Sequence, residues 1–449
     1  MKKIISLSLF LILILLFNSC STFLVHKEQD YIKVNGTHFE LNGKSYYFLG
    51  GNFWYAVYLA APGQIGDRPK LIRELDTLKS LGITNLRIMG ASEQSYIQGT
   101  LSPGFIEKPG IYNDDLLDGL DFLLSEMKKR NMHAVIFLTN TWEWSGGMSQ
   151  YNAWINDSGK VNPRAPNVNY GDFMNYAASF YRNEDAKQIY YNYIYRLVNR
   201  KNQFTNVYYY EDPTIMSWQI ANEPRPGHGD EAKKWFDEYY RWINSTALFI
   251  HRLDHNHLVS TGSEGITGSL DSAQIYLNAH RSKYVDYLTF HLWPNEWGWY
   301  RPKKSDSTYS IAETKSLAYI NEHIELASEL KKPIVMEEFG LPRDYGYWRP
   351  GSPTTNRNKF FNSILKVVYS SAENDSPMAG ANFWVWGGDG KSNTNYKWGF
   401  GRPLGGGVDY TNSIFEQDSS TIDIIKNYCK KFNSLNQKHV ILNQKIKSN

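Results

Sequence analysis

The stretch Thr214-Ile-Met-Ser-Trp-Gln-Ile-Ala-Asn-Glu-Pro224 decides how the rest of the chain is read. Residues 215–220 form an apolar run of strand length that halts at Asn222-Glu223-Pro224. A carboxylic acid at the carboxyl end of a buried strand suits general acid/base work, and in a barrel of parallel strands that end is where catalytic groups gather. A second stretch has the same form. Pro333-Ile-Val-Met-Glu-Glu-Phe-Gly340 runs from an apolar strand into Glu338, and Gly340 lets the backbone turn sharply. Two glutamates at two distant strand ends are the minimum apparatus for cleaving a glycosidic bond. One carboxyl protonates the leaving oxygen and the other meets the cationic anomeric carbon.

Outward from these stretches, apolar runs alternate with helical ones, the sign of parallel βα units. Strands are expected at 46–52, 83–88, 133–138, 215–220, 258–261, 287–291, 334–338 and 380–385. Helices are expected at 68–81, 114–130, 186–199, 230–253, 311–330, 356–371 and 422–432. Leu71, Leu75 and Leu78 share one face of the first helix, and Leu117, Leu120, Leu124 and Met127 one face of the second. The crossover from the fifth strand to about Tyr284 is poor in helical signal. These elements predict an α/β fold, a single (β/α)8 TIM barrel over residues 31–435 with no second domain and no internal repeat. A hairpin over Val34–Tyr47, turning at Asn42-Gly43, is expected to cap the barrel's bottom. The Trp-, Gly- and Asn-rich loop 139–181 is long enough to be functional. The polar tail 436–449 is expected to fray.

Across 449 residues the charges nearly balance, at +3, and no basic cluster proposes a nucleic acid as partner. Aromatic residues make up 15%, with 14 Trp and 32 Tyr, which suits a cleft that stacks on sugar rings. Met1-Lys2-Lys3 and the apolar run 4–17 read as an export signal, too short for a membrane span. Ser19-Cys20 resembles a bacterial lipoprotein cleavage box. Residues 1–20 would then be a signal, Cys20 the lipidated first residue and 21–30 a tether. The protein would be an exported, membrane-anchored lipoprotein, periplasmic or at the cell surface. The rival reading is an ordinary cleaved signal and a secreted protein. The remaining cysteine, Cys429, reads as a passive thiol, so this is not a disulfide scaffold. A monomer is expected.

Asn222-Glu223-Pro224 after one strand and Glu338-Phe339-Gly340 after a later one, with Arg87 ending the second strand, resemble glycoside hydrolase family 5 over roughly residues 31–435. The resemblance implies that Glu223 is the acid/base and Glu338 the nucleophile of a retaining enzyme. A proton donor must stay protonated near neutral pH, and a nucleophile must stay ionised, for which Arg87 is the natural cation. The resemblance also puts Asn222 on the sugar 2-hydroxyl. It sets His291 and Trp293 at the family's His-x-Tyr pair, with Trp in place of Tyr, and Trp384 as the floor of the subsite where the bond breaks. Glu337 competes with Glu338 in sequence. Successive strand residues point to opposite faces, so only one of the two is expected at the mouth. Arg87 as a structural ion pair and His291 as a satisfied buried histidine are the blander readings. His251, His255 and His257 read as a helix-end turn rather than a metal site. No metal or organic cofactor is called for.

For the substrate, Asn52-Phe-Trp54, Leu86-Arg87-Ile-Met-Gly90 and Leu138-Thr-Asn140-x-Trp142-x-x-x-Gly146-Gly147-Met148-x-Gln150-Tyr151-x-x-Trp154 resemble the endo-β-1,4-mannanase branch of the family. Asn222-Glu-Pro-Arg225 does so too, and the resemblance sets Arg225 on the leaving-group side. Trp54, Asn140, Trp142 and Glu264 join the expected sugar contacts, and Trp144, Trp154, Trp297 and Trp299 are candidate platforms. The expected partner is a β-mannan chain or manno-oligosaccharides. Other readings are the same chemistry on cellulose or xyloglucan, exo action on mannosides, or a glycan-binding surface protein that lacks the chemistry.

Overall fold

Eight parallel strands form a ring in this computed structural model, which describes residues 31–347, 349–390 and 411–447. They are β1 (Phe48–Asn52), β2 (Asn85–Met89), β3 (His133–Phe137), β4 (Ile215–Gln219), β5 (Leu258–Ser260), β6 (Leu288–Leu292), β7 (Ile334–Phe339) and β8 (Met378–Phe383). Their order is 5-4-3-2-1-8-7-6, and the ring closes where Ser260 pairs in parallel with Tyr287. The outer helices are α1 (Arg68–Ser80), α2 (Asp114–Lys129), α3 (Glu184–Val198), α4 (Phe236–Leu253), α5 (Ala273–His280), α6 (Ser305–Leu330), α7 (Thr355–Glu373) and α8 (Ser419–Lys447). Helices cover the outside of the ring and side chains fill its inside, so nearly every strand residue is buried. Such strands appear in the sequence as continuous apolar runs, and this is why all eight could be counted there.

Local chemistry starts the helices. Asp67, Asn113, Asn183 and Ser272 each accept the backbone N–H three residues on, at the heads of α1, α2, α3 and α5. Helix α5 fills the crossover in which no helix was expected. Its eight residues are too few for a clear 3.6-residue period.

The amino-terminal cap has three short antiparallel strands, Lys33–Asn35, His38–Leu41 and Lys44–Ser45, rather than one hairpin. Asn42 (φ 58°) and Gly43 (φ 73°) both take left-handed conformations, as a two-residue turn of this hand requires, and Gly36 (φ 63°) makes the additional turn. Ile32, Phe39 and Tyr46 from this cap pack on Phe48, Val135, Met216, Leu258, Tyr287, Val335 and Ala379, closing the ring at its amino-terminal end.

The stretch 139–181 is not a bare loop, since it holds helices at Gly147–Ile155 and Tyr170–Ala178. The stretch from 436 does not end the last helix either. Helix α8 runs to Lys447, and the Asn436 amide bonds both the N–H and the C=O of Tyr47 at 2.9 Å. Cys429 is buried, and burial pushes its thiol up to about 12, which keeps it inert. Cys20, the signal and the tether lie outside the described residues. No helix among the described residues is long and apolar enough to cross a membrane.

Candidate active site

The end of β4 is spliced into its neighbours. The Asn222 N–H donates to Thr139 O (2.8 Å) after β3, and the Glu223 N–H donates to Gly262 O (2.8 Å) after β5. Glu223 sits in the left-handed region at φ 50°. For a residue with a side chain this costs of order 1–3 kcal/mol, and the two cross-loop bonds hold it there. The turn aims its carboxyl at the centre of the barrel mouth.

Strand β7 carries a bulge at Glu337. On β6, Phe290 pairs with Met336 but His291 pairs with Glu338, so Glu337 is the extra residue. The β8 side shows the same slip, with Met336 opposite Ala381 and Phe339 opposite Phe383. Simple alternation therefore fails here, and both glutamates turn inward. Glu338 faces the mouth. Glu337 lies deeper, fully buried, accepting bonds from the Gln219 amide and the Tyr287 hydroxyl. The Asn52 side chain donates to the Glu337 carbonyl at 2.8 Å, satisfying a group in the irregular part of the ladder.

Arg87 is the hub beneath the mouth. Its Nη1 lies 2.5 Å from Glu338 Oε1 and 3.2 Å from Asn52 Oδ1, Nη2 lies 2.7 Å from Asn222 Oδ1, and Nε lies 2.8 Å from Gln219 Oε1. Its guanidinium also lies over the Phe137 ring. His291 Nδ1 is 2.6 Å from Glu223 Oε1 and 3.4 Å from Glu338 Oε2. An oxygen of Glu223, an oxygen of Glu338 and a nitrogen of His291 all lie within 4.8 Å of one another. That spacing is the short carboxyl separation of double displacement, without the wider gap that inversion needs for a water. A small cation would also fit this trio by distance, but Arg87 already supplies positive charge against Glu338.

The charges divide unequally. Burial raises Glu338 to about 7, against the opposing pull of His291 and Arg87. Burial also acts to raise Glu223, but His291, Arg225 and the Trp142 indole outweigh it and bring it to about 2. His291 is raised, with Glu338 and Glu223 together overcoming its burial. Imidazolium beside carboxylate and imidazole beside carboxylic acid contain the same single proton, placed on one side or the other of the 2.6 Å contact. The second arrangement is the acid that a leaving oxygen requires.

Above these groups opens a cleft of about 690 Å³. Among the described residues it is lined by Asn222, Glu223, Arg225, Glu264, Glu338, Trp142, Trp293 and Trp384 from the expected set, and by Trp144 and Trp297 from the candidate platforms. Trp293 and Trp384 meet edge to face at 5.9 Å. Arg225 ion-pairs with Glu264 and lies 4.9 Å over the Trp142 ring, and the Trp297 indole donates to Glu264 at 3.2 Å.

Four of the expected sugar contacts are set back from the cleft. Arg87 and His291 lie directly beneath the glutamates. Asn140 is buried, its Oδ1 accepting from the Trp142 N–H (3.1 Å) and the Asn222 amide (3.0 Å). Trp54 is 2% exposed and packs edge-on against Trp144 at 5.5 Å, so it supports a platform instead of forming one. Trp154 packs against Tyr151, and Trp299 lies behind Trp297. Tyr170, Met174, Glu296 and Asn412 line the cleft without having been foreseen. Tyr170 heads the second helix of the long loop, and Asn169, which caps that helix, was its one local signal. Two of the three histidines at the end of α4 have structural partners: His251 pairs with Asp286, and His257 with Asp254 and the Asp212 carbonyl.

The pattern of the GH family 5 beta-mannosidase-like group matches residues 29–437. The chain is 31% identical to a putative mannan endo-1,4-beta-mannosidase 4 from Arabidopsis thaliana, over 91% of this chain and 92% of that one. It is 29% identical to mannan endo-1,4-beta-mannosidase 4 from Solanum lycopersicum, over 81% and 85%. Its fold is similar to that of a glycoside hydrolase family 5 mannosidase from Rhizomucor miehei, with a TM-score of 0.81, 32% identity and 91% and 99% coverage. It is also similar to an endo-beta-1,4-mannanase from Thermotoga petrophila, with a TM-score of 0.64, 25% identity and 87% and 78% coverage. With both key glutamates, the Arg87 hub and the aromatic cleft inside the matched region, the chain belongs to glycoside hydrolase family 5, in its β-mannosidase-like group.

Proposed function

We propose that this protein is a retaining endo-1,4-β-mannosidase acting on internal bonds of mannan, galactomannan or glucomannan. The observation that carries the reading is the meeting of Glu223 and Glu338, with oxygens within 4.8 Å of each other, on the floor of an open aromatic cleft. Glu338 attacks the anomeric carbon while Glu223 gives its proton to the departing sugar oxygen, forming a glycosyl-enzyme intermediate. Glu223, now a carboxylate, removes a proton from water, and that water releases the product with its configuration retained. Arg87 orients the nucleophile. Asn222 faces the cleft with its amide oriented by Arg87 and Asn140, ready for a sugar hydroxyl. Trp384 and Trp293 supply stacking surface on the floor, and Arg225 with Glu264 supplies polar contacts along the cleft.

Product analysis on unbranched mannan and on carboxymethyl cellulose tests this reading. A ladder of manno-oligosaccharides from mannan alone is expected. Mannose released singly from chain ends would instead select exo action. Hydrolysis of the cellulose derivative alone would overturn the sugar assignment.

The chain is further proposed to be exported and held to a membrane by lipidated Cys20. Support comes from the basic start, the apolar run and the Ser19-Cys20 pair. Cys20→Ala should move the protein from the membrane fraction to the soluble one. If the distribution is unchanged, the anchor is wrong.

A further inference from the structure

Glu93 is fully buried behind the cleft, in the loop after β2, and has no part in the chemistry above. Its Oε1 accepts from the Thr139 hydroxyl at 3.0 Å, and its Oε2 from the Gly147 N–H at 2.6 Å. Its own N–H donates to Ser145 O at 2.8 Å. One residue thus holds both ends and the inner turn of segment 139–147. Gly146 (φ +92°) marks how tight the contact is, because a Cβ there would stand 2.2 Å from the Glu93 carbonyl oxygen.

The segment so held carries Asn140, which orients the Asn222 amide, and Trp142, whose indole donates to Glu223. A buried carboxyl is a costly fastening, and burial raises this one to about 7. We propose that Glu93 is a positioning residue that fixes the segment after β3 so that Trp142 and Asn140 meet Glu223 and Asn222 before the sugar arrives. This rests on the reading of Glu223 as the acid/base.

The test compares Glu93→Ala, Glu93→Gln, Thr139→Val and Trp142→Phe on a manno-oligosaccharide. Glu93→Ala should lower kcat by about 10–100-fold, with a smaller change in KM, since displacements near 1 Å cost about that much. The Trp142 N–H holds Glu223 down, so its loss should move the alkaline limb of kcat/KM to higher pH. Trp142→Phe should give the same movement with Glu93 in place, and the double variant should be no worse than the more damaged single one. Glu93→Gln should recover most of the rate lost in Glu93→Ala, with its amide oxygen on Gly147 and its NH2 on the Thr139 hydroxyl. Thr139→Val removes one hydrogen bond to the Glu93 carboxyl and should show a smaller shift, which keeps the test open if Glu93→Ala fails to fold.

The groups facing Glu93 are Tyr151, Tyr190 and Tyr193, all raised by burial and therefore silent near neutral pH. Those facing Glu223 are His291, Arg225, Glu264 and Glu338. A lowered Tm with an unmoved pH profile in Glu93→Ala and Thr139→Val, or additive effects of Glu93→Ala and Trp142→Phe, would overturn the proposal. A fully active Glu223→Gln would instead remove the acid/base assignment, whatever the Glu93 variants do.

Discussion

Arg87 Nη1 lies 2.5 Å from Glu338 Oε1, with both side chains almost wholly removed from solvent. The same guanidinium orients Asn222 and, through Gln219, reaches Glu337. One cation thus ties β2 to the working ends of β4 and β7.

Replacing Arg87 should harm stability and rate together. Arg87→Met leaves buried Glu338 without its cation, and breaking such a pair costs about 3–5 kcal/mol. Arg87→Lys keeps the charge but loses the planar fork that reaches four partners. It should fold better than Arg87→Met and still lose at least about tenfold in kcat/KM. Thermal denaturation with steady-state kinetics checks both; an Arg87→Lys enzyme of normal rate would leave Arg87 a structural tie only.

The carboxylates themselves should behave as two different groups. Glu338→Ala removes the nucleophile and should abolish hydrolysis while oligosaccharide binding survives. Glu223→Gln should cost roughly 10²–10⁴ in rate, and least on substrates whose leaving group needs no proton. Kinetics on an aryl mannoside with a good leaving group, beside mannohexaose, separates the roles. Equal losses on both substrates in Glu223→Gln would contradict an acid role.

The pH dependence follows from Glu338 at about 7, above its ordinary 4.5. The nucleophile works ionised, so protonation switches it off. As pH falls through about 7 the acid limb of kcat/KM should drop, well before the range of an ordinary carboxylate. The alkaline limb should follow loss of the proton shared by His291 and Glu223. A pH profile with its acid limb near 4.5 would show that substrate-free Glu338 is not raised.

Asn52 offers a test of the bulge. Asn52→Ala removes the donor to the Glu337 carbonyl and a partner of Arg87. An unsatisfied buried acceptor costs about 1–3 kcal/mol, and the loss should appear in Tm. Because the bulge aims Glu338, kcat should fall as well. A Tm loss with unchanged kcat would mean that β7 keeps its shape without this bond.

The strand ends were legible because their signals are local. An apolar run that stops at Asn222-Glu223-Pro224, or at Glu338-Phe339-Gly340, carries its meaning within a few residues. Helix α5 and the two helices inside 139–181 were not, because short segments packed on their neighbours need little periodicity of their own.

Sequence by itself determined the (β/α)8 architecture, the glutamates that end β4 and β7 and the arginine of β2 that pairs with Glu338, since each rests on polarity and spacing along one strand. Only the tertiary structure decided that Glu337 as well as Glu338 turns inward, that Trp54 lies behind Trp144, and that Tyr170 and Asn412 reach the cleft. A bulge is a mismatch between neighbouring strands, and exposure is set by what packs on top. Both are properties of pairs of segments far apart in the chain, which no single stretch encodes.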